Sequence, residues 1–402
     1  MRITIHGSYG TGNRGDNVIL IQLLRFLEEE CPGASVTVLC RNERRLALLL
    51  DAEFSHSSLD IRPLPASFRR RPVEVLEACA RCDLFILGGG GLLWGRAWGN
   101  LSYWFLRPRL AHMAGRRLVF YVPGIYGIKG AWARRLLRTM ARRADFLSVR
   151  DDEGLKQLIR AGIPASRVVE GADPAFLMPP PEAGRIESLV QALGLEDRML
   201  VGLSARDWRG RLSAGLFANF VQQLLANEDC ILLFFAFNTN SLPSEVDRDD
   251  LSVAKALLRT LPEEMQGRLI VVDENYSLDE LLALIGACDY LIGMRLHALI
   301  FATIAGVPFG AIAYDEKISA YMHMLGRDAF LLGLEEAADP QQLKTLAERL
   351  HEERMLSDVQ GPLPAILHSA AQLSVRSLTM HRALAARLQS WFPRGPQGKP
   401  RP

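Results

Sequence analysis

Short apolar runs alternate with stretches of helical period from the first residues of the chain. Arg2-Ile3-Thr4-Ile5 predicts a strand over 3–6. A glycine-rich turn, a helix over 16–30 and a strand over 35–40, carrying Val36-Thr37-Val38-Leu39, follow it. Further apolar runs predict strands at Leu84–Leu87, Leu118–Val122 and Phe146–Val149, each preceded by an amphipathic stretch of helical length. This order is that of a parallel sheet with right-handed crossovers.

Met178-Pro179-Pro180-Pro181-Glu182-Ala183-Gly184 interrupts the pattern, because consecutive prolines exclude helix and favour an extended connection. A second series then predicts strands at 200–204, 230–235, 269–272, 290–292 and 309–313. The expected organisation is a Rossmann-like domain over 1–178, a linker over 179–198 and a second Rossmann-like domain over 199–365. A C-terminal helix over 366–392 follows, and then a tail over 393–402 that has nothing to bury and reads as disordered.

Two domains also fit the 402-residue length, since single cores stop growing beyond roughly 250–300 residues. With 49% hydrophobic and 23% charged residues the chain falls in the globular class. Net charge is only +2, so no whole-protein field points to nucleic acid, which is not among the expected partners. Local basic clusters change that picture. Arg69-Arg70-Arg71 and the run Arg134, Arg135, Arg138, Arg142, Arg143 suit phosphate or an anionic membrane surface, or are solvated loop and helix faces. The first residues enter the strand pattern directly and are not expected to be a signal peptide, and no apolar run reaches the roughly 18 residues that span a bilayer. The expectation is a cytoplasmic protein, at most peripheral to the inner face of a membrane. Cys79-Ala-Arg-Cys82 is a lone CxxC without a second pair or fitting His spacing, and reads as a helix end rather than a zinc site.

Ligands of open α/β sheets collect beyond the carboxyl ends of strands, so the loops there are the places to search. After strand one, Gly7-Ser8-Tyr9-Gly10-Thr11-Gly12-Asn13-Arg14-Gly15-Asp16 offers free backbone and a helix N-terminus to an anion, or is a tight turn capped by Asp16. Gly88-Gly89-Gly90-Gly91 leaves bare backbone on which a substrate can lie flush, and Trp94, Trp98 and Trp104 supply either sugar-stacking faces or core packing. In Ser148-Val149-Arg150-Asp151-Asp152, Arg150 can fork onto a carboxylate or phosphate, or pair with a neighbouring aspartate. In Gly293-Met294-Arg295-Leu296-His297-Ala298 a polar Arg-x-His interrupts an apolar context, and His297 suits general acid work. Arg206, in Ser204-Ala205-Arg206-Asp207-Trp208, and Lys317, in Tyr314-Asp315-Glu316-Lys317, follow two further strands of the second half. Three cations and a histidine are thus expected at an interdomain groove, which points to a small polyanion.

In the order and spacing of these motifs the chain resembles the polysaccharide pyruvyl transferase family over roughly residues 1–330. Asn17 and Trp94-Gly95 depart from the family pattern. The resemblance implies two Rossmann-like domains facing across a cleft, as in GT-B glycosyltransferases. It implies phosphoenolpyruvate as co-substrate, with no further cofactor and no metal, and a saccharide acceptor of a cell-surface polymer, often lipid-diphosphate-linked. It also implies catalytic roles for His297, Arg150 and Lys317. Arg295 and Arg206 stand close by them as substrate-binding candidates, and the loops themselves offer Gly12, Asn13, Asp16, Gly89, Gly90 and Trp94 on the expected acceptor side. Two other readings stand beside it: a nucleotide-sugar glycosyltransferase of the same fold, and a non-catalytic anion- or glycan-binding module.

Overall fold

The computed structural model of the chain describes residues 1–95, 98–207, 214–239, 249–360 and 364–393. Trp208 of the expected SARDW motif and the tail beyond Pro393 lie outside the described residues. The chain divides into two units. The first comprises Met1–Thr11, Gly15–Leu177 and the segment from Leu373 onward; the second comprises Gly12–Arg14 and Met178–Gln372.

In the first unit the elements run β1 (Arg2–His6), α1 (Arg14–Glu30), β2 (Ser35–Cys40), α2 (Glu43–Phe54), β3 (Asp60–Pro65), α3 (Pro72–Arg81), β4 (Leu84–Leu87) and β5 (Gly90–Trp94). They continue with α4 (Trp98–Met113), β6 (Arg117–Phe120), β7 (Pro123–Tyr126), α5 (Ala131–Arg143), β8 (Phe146–Val149), α6 (Asp152–Arg160) and β9 (Val169–Glu170). Seven strands form one parallel sheet in the order β3-β2-β1-β4-β6-β8-β9. Its central strands are buried on both faces, which is why Leu84-Phe85-Ile86-Leu87 is uninterruptedly apolar. One face is covered by α3, α4, α5 and α6 through Val75, Leu101, Phe105, Leu137 and Leu158. The other is covered by α1 and by the C-terminal helix through Leu20, Leu24, Met380 and Leu384.

The second unit runs α7 (Ala183–Ala192), β10 (Met199–Ser204), α8 (Ala214–Leu225), β11 (Cys230–Phe235), α9 (Asp250–Thr260), α10 (Glu263–Gln266), β12 (Leu269–Val272) and α11 (Leu278–Gly286). It continues with β13 (Tyr290–Gly293), α12 (Leu296–Ala305), β14 (Phe309–Ala313), α13 (Glu316–Met324), β15 (Leu331–Gly333) and α14 (Pro340–Gln360), and α15 (Pro364–Trp391) ends the described helices. Its sheet is parallel with the order β12-β11-β10-β13-β14-β15. Both sheets therefore reverse direction once, between β1 and β4 and between β10 and β13, the doubly wound arrangement in which ligands sit at the reversal.

Several expectations are corrected. The segment 179–198, read as a linker, contains α7, which packs on α11; Pro181 and Ile186 lie against Gly286, where a Cβ would stand 3.0 and 3.1 Å from them. The C-terminal helix is not a separate appendage, since its residues from Leu373 on are part of the first unit. Helix α1 starts at Arg14, so Asp16 lies in its first turn and is not its N-cap. Strand β3 was hidden by Pro63 and Pro65, which an edge strand tolerates because its outer N–H groups have no ladder to join. Cys79 and Cys82 end α3 as buried thiols, pushed up by burial to about 12 and about 11.

Candidate active site

In the second unit the parallel register sets Ser204 beside Gly293, and Gly293 beside Ala311. The loops after β10, β13 and β14 therefore leave the sheet side by side at its carboxyl edge. This places Arg206, the Arg295/His297 pair and the Tyr314/Lys317 pair next to one another, although they are far apart in sequence. The Met294 amide donates to the Ser204 carbonyl at 2.7 Å and fixes the first two loops together.

Tyr314 organises the cations. Arg206 donates to the Tyr314 hydroxyl at 3.4 Å, its guanidinium carbon stands 4.9 Å from the ring centre, and Lys317 Nζ stands 5.4 Å from the same ring. Such spacings are those of cation–π contacts. Burial alone would raise the Tyr314 phenol, but Lys317, Arg295 and Arg206 outweigh it and bring the phenol below its ordinary value. Burial and the neighbouring Arg295 lower Arg206 in turn.

Arg295 is anchored by Asp250, the first residue of α9, which is fully buried. Arg295 Nε donates to the Asp250 carboxylate at 3.1 and 3.0 Å, Nη2 donates to it as well, and the Asn238 amide donates to it at 2.9 Å. Burial opposes the charge on Arg295, and the Asp250 carboxylate overcomes it, holding the guanidinium above its ordinary range. Lys317 lies 3.3 Å from Asp315, the N-cap of α13, with about a quarter of its side chain exposed (26%). His297 is buried in the first turn of α12, one residue beyond Leu296 and two beyond Arg295 at the N-cap. Arg206, Arg295 and Lys317 thus gather at one edge of the sheet with His297 on the same loop as Arg295, a set able to meet an anion.

Gly12 and Asn13 belong to this unit and have a structural use. The Gly12 carbonyl accepts from the Thr239 amide at 3.1 Å, Asn13 bridges to Asn238, and the Arg14 amide donates to the Phe237 carbonyl at 2.9 Å. The Arg14 guanidinium donates to the Asp273, Tyr276 and Ser277 carbonyls, and burial lowers it to about 10. The Gly12 carbonyl and the Arg14 amide of this turn are thus bonded to the loop after β11.

The first unit brings together Asp16, Gly90 and Arg150, but not as an open anion cradle. The glycines seat side chains of the protein itself: a Cβ on Gly88 would collide with the Tyr9 hydroxyl, and one on Gly89 would collide with Ile19. Gly90, at φ +93°, faces the Asp16 carboxylate, where a Cβ would lie 2.5 Å from Oδ1. Only beyond Gly90 does the loop open, at exposed Gly91 and at Trp94, which is 50% exposed and closes β5 against β7. Burial first and Asp16 second push the Tyr9 phenol far up.

Arg150, expected to hold substrate, is buried in an internal network. It pairs with Asp173, donates to the Tyr126 hydroxyl at 3.3 Å and lies 3.7 Å from Asp151, which caps α6. Burial acts against its charge and Tyr126 and Asp173 more than restore it. Ser148 of the same motif accepts from the Val122 amide and donates to the Phe120 carbonyl, both at 3.1 Å. It thereby ties down Val122, a β-branched residue at φ +43°. Asp250, Asp173 and Tyr126 are residues that reading the sequence missed, and Tyr314 was seen only as part of the Lys317 motif, without a role. For Tyr314 the signal was position, directly after β14, whereas Asp250 opens α9 well beyond β11 and carried no such signal.

A sequence model of the polysaccharide pyruvyl transferase family matches residues 13–316. The amylovoran biosynthesis protein AmsJ of Erwinia amylovora is 23% identical, over 81% of this chain and 86% of AmsJ. Among solved structures, Anabaena HepE, determined with UDP and glucose, superposes with a TM-score of 0.63 at 16% identity, covering 97% of this chain and 100% of HepE. UDP-GlcNAc 2-epimerase from Neisseria meningitidis, bound to UDP-GlcNAc, gives a TM-score of 0.57 at 12% identity, covering 94% of this chain and 100% of the epimerase. These likenesses show the fold, two Rossmann-like domains of the GT-B kind.

Proposed function

The chain belongs to the polysaccharide pyruvyl transferase family, and from that premise we propose that it moves the three-carbon group of phosphoenolpyruvate onto a sugar of a cell-surface polysaccharide or its lipid-linked precursor, making a pyruvate ketal and releasing phosphate. The observation that carries this reading is the grouping of Arg206, Arg295, Lys317 and His297 at the carboxyl edge of β10, β13 and β14.

In this reading Arg206 and Lys317 hold the donor's carboxylate and phosphate, with Arg295 fixed by Asp250 to oppose charge building on the leaving phosphate. In many enzymes preorganised cations of this kind account for more of the rate enhancement than any other effect. His297 gives a proton to the methylene carbon, which leaves C2 electrophilic. One sugar hydroxyl bonds to C2, the bond from C2 to the phosphate oxygen breaks, and a second hydroxyl bonds to C2 to close the ketal. Of the two hydroxyl protons, one returns to His297 and the other leaves with phosphate. Arg150 acts as a positioning residue for the loops after β7 and β8, and the exposed Trp94 face suits an acceptor sugar.

The test is phosphate release from phosphoenolpyruvate with a panel of lipid-diphosphate disaccharides, read together with the acceptor's mass. The expected product is heavier by pyruvic acid less one water. His297→Ala with unchanged thermal unfolding should lose about 10²-fold or more in turnover, the usual contribution of a positioned acid. Near-normal turnover in that variant removes the acid role. Sugar transfer from a nucleotide sugar, without phosphate release from phosphoenolpyruvate, overturns the reaction.

A further inference from the structure

Helix α5 turns its apolar side, Ala133, Leu137 and Met140, into the core and presents Arg134, Arg135, Arg138 and Arg142 outward. Together with Thr139 these arginines line an open groove of about 550 Å³ against Ala161 at the end of α6. None of the four makes an ion pair with a carboxylate among the described residues; nearby Asp145 and Glu153 are taken by Arg117 and Arg160. Arg167 adds a further cation by donating to the Arg142 and Ala144 carbonyls at the helix end. The four outward arginines span nine residues, roughly 12 Å of helix at 1.5 Å per residue.

Helices α4 and α6 flank α5 on the same face of the sheet. Each carries exposed large apolar side chains: Leu106 (45%) and Met113 (72%) on α4, and Ile159 (47%) on α6. A row of exposed arginines unpaired with carboxylates, on a helix flanked by two others that expose apolar side chains, matches a surface that offers phosphate groups above hydrocarbon. A pocket for one small anion would instead converge buried donors on a point. Among the described residues no helix is long and apolar enough to cross a membrane, so contact of this kind would be peripheral.

We propose that the α5 face docks on an anionic phospholipid surface, the arginines meeting headgroup phosphates while Leu106, Met113 and Ile159 enter the headgroup boundary. The test is co-sedimentation of the full chain with vesicles of phosphatidylglycerol and phosphatidylcholine, against vesicles of phosphatidylcholine alone. Binding is expected only with the anionic lipid and should fall as salt rises. Each basic residue near such a surface contributes about 1 kcal/mol, or about fivefold, so Arg134→Gln/Arg138→Gln should weaken partitioning at least tenfold. Arg134→Lys/Arg138→Lys should keep most of it, because a membrane reads charge rather than fork geometry. Arg382→Gln/Arg387→Gln, on α15 over the other sheet face, should bind as the unaltered chain does. Thermal unfolding of each variant shows that the fold is intact. Absence of binding to anionic vesicles overturns the proposal, as does equal loss in the α15 variant. Loss in the Lys variant, with equivalent binding of inorganic diphosphate in solution, also overturns it in favour of a small-anion pocket.

Discussion

Removal of Asp250 tests whether the cation cluster depends on one buried carboxylate. Asp250 is wholly inaccessible and accepts from Arg295 Nε and Nη2 and from the Asn238 amide. Asp250→Ala leaves the Arg295 guanidinium buried without its counter-charge, with Arg206 close enough to repel it. Breaking a buried pair from one side costs about 3–5 kcal/mol. A unit of this size loses about 2–4 °C in melting temperature per kcal/mol, so the midpoint should drop by roughly 6–20 °C. Near-UV circular dichroism on heating, with urea unfolding beside it, reads this directly. Asp250→Leu/Arg295→Met should regain most of the stability, since an apolar pair of similar volume replaces a buried ion pair at little cost. The double variant should still fail to bind phosphoenolpyruvate normally, which separates fold from function. A loss below about 1 kcal/mol for Asp250→Ala, the scale of an exposed ion pair, would refute the reasoning.

Two further predictions concern the first unit. Gly90→Ala places a Cβ 2.5 Å from the Asp16 carboxylate at a φ of +93°, so it should cost about 1–3 kcal/mol, whereas Gly91→Ala, with nothing within 4 Å, should stay within about 0.5 kcal/mol in urea unfolding; equal effects would contradict the packing described for the glycine run. His381 lies in the core with Nε2 2.6 Å from the Tyr121 hydroxyl and its ring against Phe26, and burial pushes it down to about 4 from an ordinary 6.5. Between those values the unfolded chain binds the extra proton, so stability should fall as pH drops from about 7 towards 4, by an amount on the order of 3 kcal/mol. His381→Phe should flatten that part of the stability–pH curve, and parallel curves for the two proteins would rule the assignment out.

The buried strands were legible because a parallel sheet covered on both faces leaves apolar runs such as Leu84–Leu87 and Cys230–Phe235. Once the strands were placed, their trailing loops singled out Arg206, Arg295, His297 and Lys317, and the strand order sets those loops beside one another. Asp250 was not legible. Asp249-Asp250 looks like a solvated helix start, and Asp249 does cap α9, while its neighbour turns inward to an arginine 45 residues away. Strand β5 was hidden by its own glycines, and α7 by the prolines before it. The Arg150 alternatives were both visible and it does pair with its neighbour Asp151, but its closer partner, Asp173, is 23 residues on and outside the motif.

The two sheets share one winding, and they use the point where it reverses differently. In the first unit the reversal between β1 and β4 is filled by Tyr9, whose ring lies against Gly7 and whose hydroxyl lies against Gly88; an added Cβ on either glycine would collide with it. The glycines that looked like a cradle for a ligand are the means by which the loop closes over this aromatic plug. In the second unit the reversal between β10 and β13 ends in Arg206 and Arg295, with Tyr314 and Lys317 one strand further on. A buried phenol whose ionisation is strongly disfavoured and a cluster of three cations are opposite environments for an anionic donor. On the proposed reaction, the donor would sit with the second unit. On the same proposal, the first unit would offer an acceptor the exposed Gly91 and Trp94, on either side of buried Leu92 and Leu93.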